Sequence, residues 1–285
     1  MTRMLRTLLL RHLPLLLTAG LIAPTAGADS KILATAGGQQ IEGQAGGGLV
    51  PWALLAGYAE AGEWGGSLAL TGVRVDDFDL RVMGAAVNFG NRFEASVASQ
   101  QLKVQPLNLS IDQDVLAMKW RVGGHVLYGS LPVVTVGAQA KWVRDFAVPE
   151  LLGAADDHGI DFTASASKLW LNALFGRNVF ANATLRRTKA NQTGLLGFGA
   201  ADGSDHSWVA EGSVALFLNR HWALGAEYRQ KPDHLAAVKE DDWRDVFLGW
   251  FPNKRISVIA AYADLGSIAG LADQSGFYLS LQVTQ

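Results

Sequence analysis

The sequence predicts an all-β fold, a transmembrane antiparallel β-barrel, and three observations predict it. The chain opens with an export leader. Segment after segment then alternates between an apolar face and a face of small, polar or charged residues. Short and long connections between those segments take turns along the chain.

The leader comes first. Arg3, Arg6 and Arg11 precede an apolar run from Leu13 to Ala23, and Ala26-Gly27-Ala28 fits the small-residue rule for leader cleavage. Residues 1–28 are therefore expected to be a signal peptide cut before Asp29. The run is shorter than the ~20 residues a spanning helix needs, and Pro14 interrupts it. The uncharged stretch Gly43–Ala59 is a poor helix because it is rich in Gly and contains Pro51. An exported chain of this kind is either periplasmic or a barrel in the outer membrane of a Gram-negative bacterium.

Composition narrows the classes. Of 285 residues 32 are Gly, none is Cys, and 18% are charged, with a formal net charge of −2. Low charge and abundant apolar residues exclude a disordered chain. The absence of Cys excludes disulfides, thiol catalysis and Cys-based zinc sites. No basic footprint for nucleic acid is present.

Alternation decides between the two locations. Leu116, Met118, Trp120 and Val122 share one face of a strand, opposite Ala117, Lys119 and Arg121. Val134, Val136, Ala138, Ala140 and Trp142 oppose Thr135, Gln139 and Lys141. Trp222, Leu224, Ala226 and Tyr228 oppose Glu227 and Arg229, and Phe277, Leu279, Leu281 and Val283 oppose Ser280 and Gln282. The apolar faces carry Trp or Tyr near their ends and much Ala and Gly between. A soluble sandwich needs large interlocking residues there. Lipid needs only apolarity, with aromatic residues at the headgroups.

The connections agree. Short ones fall at Gly90-Asn91, Gly129-Ser130, Gly176-Arg177, Asn219-Arg220 and Asn253-Lys254. Longer polar ones fall at 103–112, 145–158, 192–205, 232–241 and 265–274. No propeller-blade signature repeats. Val50, Trp52, Leu54, Ala56 and Tyr58 alternate as well, so 49–60 is expected to be a strand. A barrel with both termini on one side needs an even number, and Lys31–Gln44 can supply the missing strand, before the Gly46-Gly47-Gly48 turn. The expectation is about 14 strands, with 12 as the alternative. The organisation is a signal peptide (1–28), a Gly-rich segment serving as first strand or lumen plug (29–48), and the barrel (49–285). Residues 164–172, with Lys168 on the lipid side, are expected to hold a bulge or boundary.

Particular blocks carry a family resemblance. Thr188–Gly199, Gly225-Ala226-Glu227-Tyr228-Arg229, Lys231-Pro232-Asp233, Asp241-Asp242-Trp243, Trp250–Lys254, Gly46–Trp52 and Tyr278–Gln282 resemble the Gram-negative family called domain of unknown function (DUF) 3034. The likeness extends over nearly the whole mature chain. It implies a predicted outer-membrane barrel and carries no activity, ligand or catalytic residue.

The candidate site is the lumen. Lys119, Arg121, Lys141, Asp161, Arg186, Glu211, Glu227, Arg229 and Asp245 fall on the inferred inward faces. Arg or Lys facing lipid at mid-depth would cost ~2–4 kcal/mol, so the lumen is the cheaper place. These mixed charges either line a water-filled pore or form a ladder of ion pairs that plugs it. Arg186 and Glu211 are placed to pair, and Lys119, Arg121 and Lys141 could favour anions. Ser165-Ala166-Ser167-Lys168 has the S-x-x-K spacing, but a strand puts Ser165 and Lys168 on opposite faces. Asp156-Asp157-His158 and Glu240-Asp241-Asp242 are acidic loop clusters, read as solvated turns rather than a cation site. No catalytic residue, metal ligand or cofactor is expected.

The functional expectation is a porin-like passive channel for small solutes. A closed barrel with a structural or loop-mediated binding role is the alternative, and a barrel hydrolase a remote one. Expected partners are outer-membrane lipid, lipopolysaccharide and the barrel-assembly machinery during insertion, with no nucleic acid.

Overall fold

The computed structural model describes residues 31, 33–200, 203, 206–235 and 238–285. The leader and its cleavage site lie outside the described residues. Two short strands, β1 (Gly38–Gln39) and β2 (Ala45–Gly46), form a small ribbon. Twelve long strands follow: β3 (Trp64–Val75), β4 (Phe78–Phe89), β5 (Phe93–Val104), β6 (Leu109–Gly123), β7 (Val133–Val143), β8 (His158–Leu174), β9 (Arg177–Thr188), β10 (Ser207–Phe217), β11 (Trp222–Arg229), β12 (Trp243–Asn253), β13 (Ile256–Asp264) and β14 (Ser275–Thr284). Each pairs antiparallel with its neighbours in sequence, and β14 pairs with β3 to close the barrel. Closure leaves no unpaired edge, which is what hydrocarbon demands of a sheet.

The barrel wall therefore has twelve strands, not fourteen. Residues 49–60, expected as a strand, fold inside the bore, and so does most of Lys31–Gln44. Pro51 and the close contacts of Gly46–Gly48 keep the segment from forming a long ladder. The first wall strand begins at Trp64. The alternation of 49–60 gave a false strand signal, since both of its faces are buried.

The outer belt has the expected order. Leu279, Leu281 and Val283 of β14 point outward and are exposed, while Tyr278, Ser280 and Gln282 point inward and are buried. Aromatic residues sit at both ends of this belt. Near the side that carries the C-terminus, Phe93 stacks on Trp120 at 6.1 Å and Trp222 on Trp250 at 5.8 Å. Near the other rim, Tyr262 meets Phe277 edge-on at 5.5 Å. Each pair is directly opposite in the strand register, so the girdle is built from cross-strand contacts.

On the side of the termini the connections at Gly90-Asn91, Phe175-Gly176 and Lys254-Arg255 are tight, and 124–132 is longer. On the opposite rim, 144–157 contains a short helix, α1 (Ala147–Leu151), and 189–200 folds inward. The expected long loop at 103–112 is instead mostly strand, with only residues 105–108 between β5 and β6. The expected break at 164–172 falls at the end of that stretch. Inward and outward positions alternate through Trp170, and the register shifts only between Trp170 and Leu174. Lys168 is outward yet buried, because its ammonium donates to the carbonyls of His125, Tyr128, Gly129 and Leu131 in the 124–132 turn.

A charge in the middle of the belt tests the lipid assignment. Leu279→Arg should lose ~2–4 kcal/mol of folded-state stability in lipid vesicles. Urea titration of the folded band on cold gels reads it. An unchanged midpoint would mean that this face does not meet acyl chains.

The plugged lumen as candidate functional site

The bore is divided. In its outer half, β3–β6 present an apolar wall that includes Val73, Phe78, Leu80, Leu102 and Ile111. The sequence reading of an all-polar lumen missed this half, because those strands carry apolar residues on the inward face too. Across the bore, β7–β11 bring charged residues to one level. Lys141, Asp161, Arg186, Glu211 and Arg229 come from five successive strands, and their signs alternate. All five are buried.

The wall thus contributes three cations and two anions. The third anion is Glu42, which follows β1 in the N-terminal segment. It is fully buried, and its carboxylate meets all three cations: Lys141, Arg186 at 3.1 Å and Arg229 at 2.8 Å. Asp161 bridges Lys141 at 2.7 Å and Arg186 at 3.0 Å, and also accepts from Thr188 at 2.5 Å. Glu211 pairs with Arg186, the pair expected from the sequence, and lies 3.8 Å from Arg229. Gln139 accepts from Arg186 at 2.7 Å and donates to Gln44 at 2.7 Å. Three positive and three negative groups, paired and hydrogen-bonded, are the condition under which charge is tolerated out of water.

The rest of the segment is gripped by its backbone. Lys119 and Glu94 face each other across β5 and β6. Lys119 donates to the carbonyls of Ala45, Trp52 and Leu54 at 2.9–3.0 Å, and Glu94 accepts from the amides of Ala45 and Ala56. Glu227 accepts from the amides of Gly48 and Leu49 at 2.6 and 2.7 Å. A Cβ on Gly47 would lie 1.9 Å from Glu227 Oε1, so a larger residue there would displace the carboxylate that holds Gly48 and Leu49. Trp52 donates to Ser213 at 2.8 Å and packs on Phe180, and Asn182 donates to the Pro51 carbonyl.

The nine sequence-predicted residues all point inward, yet they do not form one group. Lys141, Asp161, Arg186, Glu211 and Arg229 meet around Glu42. Lys119 and Glu227 hold segment backbone. Asp245 lies opposite Glu227 in the register, and Arg121 sits at the mouth near the termini. The basic trio Lys119, Arg121 and Lys141 is therefore split among three places. Glu42 and Glu94 were missed. Glu42 falls outside any regular strand, and nothing local in its sequence marks it.

The far mouth is closed by residues 189–200. A 3-10 turn at Asn191–Gly194 places Thr193 so that its carbonyl accepts from Lys141 at 3.0 Å. Phe198 is fully buried beneath it. The amide of Gln192 donates to Glu240, and Lys231 donates to the Gln192 side chain at 2.8 Å. Burial pushes the Glu240 carboxyl up to about 7, against the pull of Lys231, and burial pushes Lys231 down to about 8. Asp241 and Asp242 are engaged by Ser267 and Tyr228, and Asp156 by Lys189. Among the described residues no group of three or more His, Asp or Glu is placed to hold a metal. Ser165 Oγ lies 2.7 Å from Thr184 Oγ1, and Lys168 is on the other face, so the S-x-x-K pair is not assembled.

Two outcomes follow from this geometry. Glu42→Gln leaves three buried cations with two anions and should lower stability by ~3–5 kcal/mol, read as an earlier heat-induced gel shift. The second concerns the loop. Glu240 binds its proton more tightly in the closed loop, so closure weakens as pH rises from its ordinary 4.5 to about 7. Hydrogen-exchange protection at Leu195–Phe198, corrected for intrinsic rates, should fall over that range and become flat in Glu240→Gln.

Several solved structures are similar to this chain. The KdgM porin is similar with a TM-score of 0.48 at 10% identity, covering 76% of this chain and 98% of that one. The NanC porin gives 0.47 at 12% identity, covering 76% and 98%. The Acinetobacter baumannii outer membrane protein Omp33 gives 0.45 at 11% identity, covering 78% and 98%. No curated protein matches the chain. Residues 35–282 match the family described as protein of unknown function (DUF3034), and the chain, a closed twelve-strand β-barrel, belongs to that family.

Proposed function

We propose that this protein is an outer-membrane channel whose bore is closed at rest by its own N-terminal segment. Small solutes pass only when that segment withdraws. The observation that supports this reading most is Glu42, which is held by the wall through side-chain charges rather than by the continuous ladder of a wall strand. Such a contact can be released as a unit. Outer-membrane lipid would cover the apolar belt, lipopolysaccharide would meet the far rim, and the barrel-assembly machinery would insert the chain. Catalysis, metal and cofactor have no part in the reading.

A second reading has its own support. Residues 189–200 pack into the mouth as a buried lid. A barrel that stays closed and acts through its outer loops would look the same at rest.

Planar-bilayer recording separates them. Refolded mature protein should be quiet at low voltage. The double variant Glu42→Ala, Gly47→Val should show frequent conductance steps at the same voltage. Steady conductance in the wild type would overturn the closed resting state. Silence in the double variant, with residues 31–60 shown by protease cleavage to be released, would select the permanently closed barrel.

A further inference from the structure

At the mouth nearest the termini, where the plug segment meets β6, lies a cavity of about 110 Å³. Its lining is mixed: Leu54, Leu55 and Val133 are apolar, and Lys31, Arg121 and His125 carry nitrogen donors.

The basic groups are pre-set as donors. Arg121 uses one nitrogen on the carbonyl of Gly124 at 2.6 Å. A guanidinium has five N–H groups in a fixed fork, which matches a carboxylate. His125 Nδ1 accepts from the amides of Leu127 and Tyr128, both at 3.1 Å, so the neutral ring carries its proton on Nε2. Burial and the neighbouring Arg121 hold His125 below its usual range, which keeps it in that neutral donor form. Lys31 is held at 2.9 Å by Asn91, which also ties down Glu60 at 3.0 Å. Glu60 is the one acid lining the cavity, against two cations and a neutral imidazole donor.

We propose that this cavity binds a short-chain monocarboxylate, with its carboxylate on Arg121 and its tail against Leu54, Leu55 and Val133. Size sets the class. A dry cavity of about 150 Å³ admits benzene, so this smaller space takes an aliphatic tail of about three to five carbons. Lys31 is tied to Asn91 beside Glu60, which leaves Arg121 as the cation for a single carboxylate. The site lies on the seam between plug and barrel, and its occupancy does not depend on whether the bore conducts.

Butyrate is the probe, with n-butanol and n-butylamine as controls. Calorimetric titration of refolded mature protein in detergent should show butyrate binding at least about tenfold tighter than either control. Arg121→Gln should weaken butyrate about tenfold or more with the heat-induced gel shift unchanged. Arg121→Lys should retain part of the affinity, and Glu60→Gln should tighten it. Equal affinity for butyrate and butanol would overturn the proposal. So would butyrate binding indifferent to Arg121→Gln. Because the readout is equilibrium binding in detergent, its failure leaves the conductance reading untouched, and the reverse also holds.

Discussion

One carboxylate holds the interior in a single arrangement. At one level of the bore, Lys141, Asp161, Arg186, Glu211 and Arg229 set three cations against two anions, and that cluster alone is left with one unbalanced buried charge. Glu42 removes it by touching Lys141, Arg186 and Arg229 together. A buried ion pair is weak evidence for net stability, since desolvation offsets much of the attraction. It is stronger evidence for register. Moving the segment by one residue takes Glu42 off three partners at once and drives Gly47 away from Glu227. Few other positions of this segment satisfy both constraints.

The two surfaces of the barrel obey different rules, and that difference decides what could be read from residues alone. Lipid asks only that a side chain be apolar, so the outward alternation of β6, β7, β11 and β14 was legible in the sequence. So were most of the turns, because tight connections on one side force Gly and Asn into a few positions. The inward direction of all nine charged residues was legible for the same reason, as the complement of an apolar face. Their partners were not. Asp161 and Lys141 are brought together by register, but Glu42 reaches them from a segment whose path through the bore no strand period describes.

The misplaced strand has the same origin. Val50, Trp52, Leu54, Ala56 and Tyr58 alternate with Ala53, Leu55 and Ala59, and period two suggested a lipid face. All of these residues are buried, so the period records nothing about membrane. Gly46-Gly47-Gly48 looked like a turn between strands. Its glycines serve close approach instead, with the Val50 carbonyl 2.3 Å from where a Gly46 Cβ would stand. Composition signals that a backbone comes close to something. It does not say to what.

The division of the bore explains how the segment is oriented as well as held. Ile41 and Leu49 pack against the apolar wall formed by Val73, Leu80 and Leu102, while Glu42 turns to the charged wall. The segment is thus two-faced, like the bore it fills. The proposed withdrawal would have two physical consequences that arrive together. Water would have to enter to solvate Lys141, Arg186 and Arg229, and the same water would meet a wall of Val, Leu and Phe that it wets poorly. On that proposal the charged half would favour a water-filled lumen once the segment left, and the apolar half would favour the segment's return. A bore built this way would have no stable dry open state.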